Sequence, residues 1–87
     1  MEETMKAKMR KRMHDLRDTN NLKQKDMGAI LHRSQRVYSN YENGSVAVPL
    51  DIAVDLADYY GVSMDYLVGR SDDSQTEIYR RRRRKRP

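Results

Sequence analysis

The 87-residue chain has no cysteine, only two prolines and no long apolar run. Without cysteine it has neither a disulfide framework nor a thiolate metal site, and nothing favours an oxidising compartment. No apolar stretch approaches the roughly 20 residues that a bilayer-spanning helix needs. No signal-peptide core precedes a cleavage site. We therefore expect a cytoplasmic protein with no membrane partner.

Side chains for catalysis or metal binding are equally scarce. His14 and His32 lie 18 residues apart, and no other ligand set accompanies them. Asp55, Asp58 and Asp65 follow helical spacing, which favours an exposed acidic face over a paired general acid and base. The chain has no glycine-rich phosphate loop and no nucleophile elbow. The sequence thus predicts a protein that is not an enzyme and binds neither a metal nor a cofactor.

Positive charge is concentrated toward the two ends of the chain. Residues 1–45 carry ten Lys or Arg against six Asp or Glu, and residues 70–87 carry eight bases against three acids. Residues 46–69 have four Asp and no base. This uneven distribution of charge would orient the basic part of a single small domain toward a polyanion.

The stretch KQKDMGAILHRSQRVYSNYENG, residues 23–44, predicts two short helices joined by a tight turn. The first, over residues 24–31, has an apolar stripe at helical spacing, formed by Met27, Ile30 and Leu31. Ser34 can cap the second helix by accepting a backbone N–H bond. This second helix is predicted over residues 34–42, with Asn43-Gly44 as its end.

The second of these helices has two chemically different faces. At about 100° per residue, one arc holds only hydrogen-bonding side chains: Gln35, Arg36, Ser39 and Asn40. The opposite arc holds bulky side chains: Val37, Tyr38 and Tyr41. Gln and Asn can pair bidentately with adenine, and Arg with guanine. An ordinary solvated face usually carries many Lys and Glu, so the polar arc favours base-edge recognition over that alternative.

The stretch resembles the helix-turn-helix of the phage lambda repressor and Cro family, also called XRE-like regulators. That family has a Gln opening the first helix, a small residue four places later, a Ser-capped recognition helix and Tyr-Glu-Asn-Gly at its end. This chain has those residues in order, as Gln24, Gly28, Ser34 and Tyr41-Glu42-Asn43-Gly44. The small residue lets the two helices cross closely. The similarity covers residues 9–69.

The turn departs from the family pattern. His32 and Arg33 stand where the family commonly has Gly and then an apolar residue. A left-handed turn residue is easiest for Gly, so His32 should carry modest strain. Arg33 should lay its stem along the edge of the core and keep its guanidinium in water.

The resemblance implies a compact, all-α, five-helix DNA-binding domain over residues 1–69, in a bacterial or phage context. Base edges would be read by Gln35, Arg36 and Asn40, with Ser34 and Ser39 assisting. The DNA backbone would be held by Lys23, Gln24, Lys25 and Asn43, and Gln24 would also brace Gln35, unless it merely faces solvent. Domains of this family often dimerise through their last helical region. The possible dimer interface is therefore Tyr59, Met64, Tyr66 and Val68, unless these residues close the monomer core.

Apolar periodicity predicts three further helices. The first spans residues 2–18, and its core stripe is Met5, Met9, Met13 and Leu16. Its bases fall mostly off the stripe and predict a solvated face: Lys6, Lys8, Arg10, Lys11 and Arg12. The fourth has Pro49 in its first turn, and its inward side chains are Leu50, Ala53, Leu56, Ala57 and Tyr60. A short fifth helix is capped by Ser63 and ended by Gly69.

Residues 70–87 form a polar linker and an Arg-rich tail, predicted to be disordered. Seven consecutive bases occupy residues 80–86. Such a run favours non-specific contact with nucleic-acid phosphates. A solubilising tail, contact with an anionic membrane and a nuclear-localisation signal are the alternatives.

The preferred hypothesis is a small transcription regulator, most simply a repressor, that binds double-stranded DNA as a homodimer. One alternative is the antitoxin or autoregulator of a two-gene module, whose activity is set by a protein partner. Another is a protein-interaction module that has lost DNA reading, although the polar face of the third helix is retained. A third is an RNA or polyanion binder that acts through the Arg tail.

Overall fold

The structure, a computed structural model, describes residues 4–73, and these form five α-helices and no strand. In chain order the helices are α1 (Met5–Thr19), α2 (Gln24–Ile30), α3 (Gln35–Asn43), α4 (Leu50–Tyr60) and α5 (Met64–Leu67). The predicted all-α, five-helix architecture is confirmed. No helix within residues 4–73 combines the length and the apolar character needed to cross a membrane.

Every helix contributes at least one side chain to a single core. The largest fully buried side chains are Met13, Met27, Tyr38, Ile52, Leu56 and Leu67. Burial of a side chain of this size stabilises the fold by about 1.5–3 kcal/mol. Leu22 packs against this core and anchors the loop between α1 and α2.

The start of α1 differs from the prediction. The helix begins at Met5, because Thr4 caps it and accepts a hydrogen bond from the Ala7 N–H at 3.1 Å. Of the predicted Met stripe, Met13 is fully buried and Met9 packs against the core. Met5 is 54% exposed, so its assignment to the core was wrong. It lies in the first turn of the helix, at the end of the stripe.

The inward face of α4 was predicted incorrectly in the first turn of the helix. Leu50 is 74% exposed, whereas Ile52, which was not predicted, is buried beside Ala53 and Leu56. Leu50 is the first residue of the helix and lies at the edge of the apolar arc, so its side chain turns toward solvent. Pro49 is the residue before the helix rather than part of its first turn. Asp55 and Asp58 are exposed as predicted, and Asp51 is exposed as well.

Two bases of α1 that were predicted to lie on a solvated face make tertiary contacts instead. The Arg12 guanidinium lies over the Tyr66 ring at 3.8 Å from its centroid. It also donates to Asp72 at 3.0 Å, and the Arg12 side chain is only 20% exposed. Arg10 donates to the Asn43 carbonyl at 3.1 Å. The prediction failed because these partners lie far away along the chain.

The segment after α5 continues along the domain as far as Asp73. The backbone N–H groups of Arg70 and Ser71 donate to the Asp65 carbonyl, at 2.8 and 3.2 Å. Asp72 pairs with Arg12 from α1. The remainder of the predicted linker and tail, including Arg80–Arg86, lies outside the described residues.

Candidate nucleic-acid interface

The four hydrogen-bonding side chains of α3 lie together on one surface. Gln35, Arg36, Ser39 and Asn40 line a concavity of about 390 Å³. Gln35 and Arg36 are exposed, and Ser39 and Asn40 are half-buried. On the opposite side of α3, Tyr38 and Tyr41 are buried in the core. The two faces predicted from the sequence are therefore present, and the polar one is open to a ligand.

The ends of α3 are fixed by its capping residues. The Ser34 hydroxyl accepts a hydrogen bond from the Val37 N–H at 3.1 Å, as predicted for an N-cap. Gly44 follows the helix with φ of 85°, a left-handed conformation that strongly favours glycine. Both devices fix where the polar face begins and ends.

The contact between α2 and α3 depends on Gly28. A Cβ atom at this position would lie 2.9 Å from the Arg33 carbonyl oxygen and 3.1 Å from the Gln35 nitrogen. The absence of a side chain therefore lets α2 pack directly against the start of α3. The turn between them places His32 at φ of 58°, which confirms the predicted left-handed residue. Arg33 is exposed, as expected.

Gln24 has a different partner from the one expected. Its side-chain amide donates to the Glu42 carboxylate at 3.4 Å, and Gln24 is half-buried. Among the described residues it makes no hydrogen bond to Gln35, so the expected brace between the two amides is not formed. Gln24 instead links the start of α2 to the end of α3.

Glu42 is also the acceptor of an ion pair that the sequence did not predict. Arg17 Nε and Nη2 donate to the two Glu42 oxygens at 2.9 and 2.8 Å. Arg17 Nη1 donates to the Leu22 carbonyl at 3.0 Å. The two side chains are only 16% and 7% exposed. No local pattern in the sequence indicates this pair, because the two residues lie 25 positions apart in different helices.

The environment of Glu42 keeps it ionised. Burial on its own would raise the pKa of this carboxyl, but the hydrogen bonds that it accepts, together with the charge of Arg17, outweigh burial, so the pKa of Glu42 is lowered. Beside it, burial and then the Glu42 carboxylate raise the pKa of Tyr38. The cluster therefore holds one paired negative charge next to neutral tyrosines, away from the polar face of α3.

Asn43 is oriented by two hydrogen bonds. Its side-chain Oδ1 accepts from the Ser45 N–H at 2.8 Å, and its carbonyl accepts from Arg10. With Oδ1 engaged, the Nδ2 group can donate to another acceptor. Lys23 and Lys25, the other two candidates for the DNA backbone, are exposed at the start of α2. There the Lys23 N–H donates to the Asp26 carboxylate at 2.8 Å.

The candidates for a dimer interface are unequally exposed. Tyr59 is 46% exposed and meets Tyr60 edge to face, with ring centroids 5.3 Å apart. Met64 and Tyr66 pack against the core, and Arg12 covers one side of the Tyr66 ring. Val68 is half-buried directly after α5.

Within residues 4–73, no three His, Cys, Asp or Glu side chains are grouped as metal ligands would be.

Comparison with known families matches residues 13–67 to the sequence model of the Helix-turn-helix family. The match runs from the buried Met13 of α1 to the buried Leu67 of α5, so it includes the whole core and the α2–α3 unit. This chain belongs to the helix-turn-helix family. The resemblance to its lambda repressor and Cro group, the XRE-like regulators, is thereby confirmed.

A curated bacterial protein is similar to most of this helix-turn-helix chain. It is the "Uncharacterized HTH-type transcriptional regulator YobD" of Bacillus subtilis (strain 168), and the two are 33% identical over 70 residues. The aligned part is 80% of this chain but only 62% of the relative, so the chain spans less than two thirds of that protein. Comparison with solved structures gives no match.

Proposed function

We propose that this chain binds double-stranded DNA in a sequence-specific manner and regulates transcription, most simply as a repressor. The observation that carries the proposal is the open polar face of α3, where Gln35, Arg36, Ser39 and Asn40 line one concavity. A helix fits into the major groove of B-DNA, whose base edges present distinct donor and acceptor patterns. The family of the chain and the description of its relative as a transcriptional regulator support the same function.

Each side chain of this face has a defined task in the proposal. Arg36 donates to guanine O6 and N7, whereas Gln35 and Asn40 pair with adenine N6 and N7. Ser34 and Ser39 add single hydrogen bonds at the start and middle of the helix. Because Ser34 and Gly44 fix both ends of α3, the backbone positions of these residues are set before DNA arrives.

The DNA backbone is held by groups on both sides of this face. Lys23 and Lys25 lie exposed at the start of α2, where their charges can meet phosphates. Gln24 lies between them, and its link to Glu42 sets the distance between α2 and the end of α3. Asn43 donates through Nδ2, because its Oδ1 is already held by the Ser45 N–H. These contacts fix the register of the domain without reading sequence.

The protein would bind a pseudo-palindromic operator as a homodimer, with half-sites roughly one helical turn apart. Tyr59, Met64, Tyr66 and Val68 are the candidates for the interface, and Tyr59 is the most exposed of the four. An occupied operator would then exclude polymerase sterically.

A selection from a random double-stranded DNA library tests the proposal. The full chain is compared with a full-length variant in which Arg81, Arg82, Arg83 and Arg84 are Gln. We expect the same two-fold-symmetric motif from both, with weaker overall binding for the variant. Enrichment of no motif, with binding lost when the tail is neutralised, would contradict the proposal.

That contrary result would favour the second candidate function, which is non-specific binding of nucleic acid through the basic run. The observation behind this candidate is the seven consecutive bases of residues 80–86. Each phosphate contact of such a run would steepen the dependence of affinity on salt. The slope of log affinity against log salt, measured on a fixed random duplex, distinguishes the two candidates quantitatively.

A further inference from the structure

A cavity of about 350 Å³ lies between the start of α1 and the loop that follows α3. Its apolar walls come from three segments and are formed by Met9, Tyr41, Val46, Ala47 and Val48. Two cationic side chains, Lys6 and Arg10, line it as well. The volume falls within the range of small-molecule binding sites, which are mostly apolar with a few placed polar groups.

We propose that this cavity binds a small organic acid, in which an apolar body carries one carboxylate. The apolar walls would receive the body, and the carboxylate would pair with Arg10 and Lys6. Among the described residues that line the cavity there is no acidic side chain, so neither cation is neutralised within it. A guanidinium is suited to this role, because its planar set of donors matches a carboxylate.

The cavity touches the end of the recognition helix α3. Arg10 Nη1 donates to the carbonyl of Asn43, the last residue of α3, at 3.1 Å. Tyr41 contributes a wall, and the Gly44 cap also lines the cavity. An acid bound to Arg10 would therefore sit beside Asn43, the residue assigned above to a DNA phosphate.

The consequence for DNA binding rests on the proposed function. A carboxylate beside Asn43 repels the phosphate expected there, and it competes with the Asn43 carbonyl for the Arg10 guanidinium. The acid would thus lower DNA affinity, as an inducer does. By linkage, operator DNA would lower the affinity for the acid by the same factor.

The test uses four probes on the DNA-free full chain at constant ionic strength: sodium octanoate, octan-1-ol, octylammonium and acetate. Octanoate combines an apolar body with a carboxylate. Octan-1-ol lacks the carboxylate, octylammonium carries the opposite charge, and acetate lacks the apolar body. Two-dimensional ¹H–¹⁵N spectra recorded below the micelle concentration report the site. We expect saturable changes in amide chemical shift with octanoate at residues 6, 9, 10, 41 and 44–48. Binding of the other three should be roughly tenfold or more weaker, because each forfeits the charged hydrogen bonds or the apolar burial.

Three variants separate the cavity from general charge effects. Arg10→Gln and Lys6→Gln should each weaken octanoate binding several-fold, whereas Lys11→Gln, on an exposed position of α1, should not. Arg10 donates a hydrogen bond to α3, and among the described residues Lys6 has none to that helix. The Lys6→Gln variant therefore keeps the test valid if Arg10→Gln disturbs the fold. Three results would overturn the proposal: chemical-shift changes with octanoate that do not saturate, an affinity for octylammonium equal to that for octanoate, or a loss of octanoate affinity in Lys11→Gln as large as in Lys6→Gln.

Failure here is distinguishable from failure of the proposed function. The octanoate titration involves no DNA, and the library selection involves no octanoate. If octanoate binds and the selection yields an operator, a gel-shift titration should show weaker operator binding as octanoate is added. Lys6→Gln should need a several-fold higher octanoate concentration than the wild type for the same loss of operator binding.

Discussion

Arg17 and Glu42, which are 25 residues apart in the chain, form a bidentate ion pair that joins the end of α1 to the end of α3. Arg17 also holds the Leu22 carbonyl, and Glu42 also receives the Gln24 amide. The end of α1, residues 22–24 and the end of α3 therefore meet at one charged pair. Its two charges are largely shielded from water, so the loss of one partner leaves the other without compensation.

Glu42→Ala should lower the free energy of unfolding by about 3 kcal/mol, because it leaves the Arg17 guanidinium largely buried without its carboxylate. Urea denaturation followed by far-ultraviolet circular dichroism measures this loss. The matched control is Asp15→Ala, whose side chain is 67% exposed beside His14. This control should change stability by less than about 0.5 kcal/mol. Equal effects of both substitutions would show that the Arg17–Glu42 pair contributes nothing special.

The pair also affects how the free energy of unfolding changes at acid pH. The pKa of Glu42 is lowered in the folded chain, so between its folded and unfolded values the unfolded state binds more protons. Stability from this group is therefore present above the unfolded pKa, near the ordinary 4.5, and is lost as pH falls through the folded pKa. Denaturation of the wild type and Glu42→Gln from pH 6 to pH 3 should give a steeper fall for the wild type. Parallel curves would rule out this linkage.

His32 stores strain in the turn of the helix-turn-helix unit. Its φ of 58° belongs to the left-handed region, which costs a non-glycine residue roughly 1 kcal/mol. His32→Gly should consequently leave stability unchanged or raise it by up to about 1 kcal/mol, despite the added freedom of the unfolded chain. Lys11→Gly, within α1, should instead lower it by about 1 kcal/mol. Thermal unfolding of both variants measures the sign of each change in stability. A loss of stability in both would contradict the strain inferred at His32.

Gly28 should tolerate no side chain. In an ordinary helix Gly→Ala stabilises by about 0.5–1 kcal/mol, but here the new Cβ would lie 2.9 Å from the Arg33 carbonyl oxygen. Since that atom belongs to the backbone, α2 and α3 must separate, and Gly28→Ala should destabilise by about 1–3 kcal/mol. Calorimetry measures the shift in Tm. A variant more stable than the wild type would mean that the helices are not in close contact.

Local features of the fold could be predicted from the sequence because short-range chemistry decides them. The N-caps of α3 and α5 are Ser34 and Ser63, and Gly44 ends α3, in each case through a residue type with a specific capping role. Leu50 and Ile52 could not be assigned correctly, since both lie near the boundary of the α4 apolar arc and only the packing around them decides which turns inward.

Long-range polar contacts lay beyond prediction. Arg17 pairs with Glu42, Arg12 covers Tyr66, and Arg10 reaches Asn43, in each case across more than 20 residues. Periodicity tells which side chains leave the core, but it does not tell which of them meet another element. The polar face of α3 is different, because all four of its side chains come from one helix and their spacing alone brings them together.

The most direct test of the proposed base-reading role of the polar face of α3 compares Arg36→Ala with Lys25→Ala at one fixed salt concentration. Affinity is measured for the selected operator and for a random duplex of the same length. We expect Arg36→Ala to cost about 1–3 kcal/mol on the operator and little on the random duplex, and Lys25→Ala to weaken both alike. If Arg36→Ala weakened both duplexes equally, Arg36 would be a phosphate contact, and the polar face of α3 would not read sequence through it.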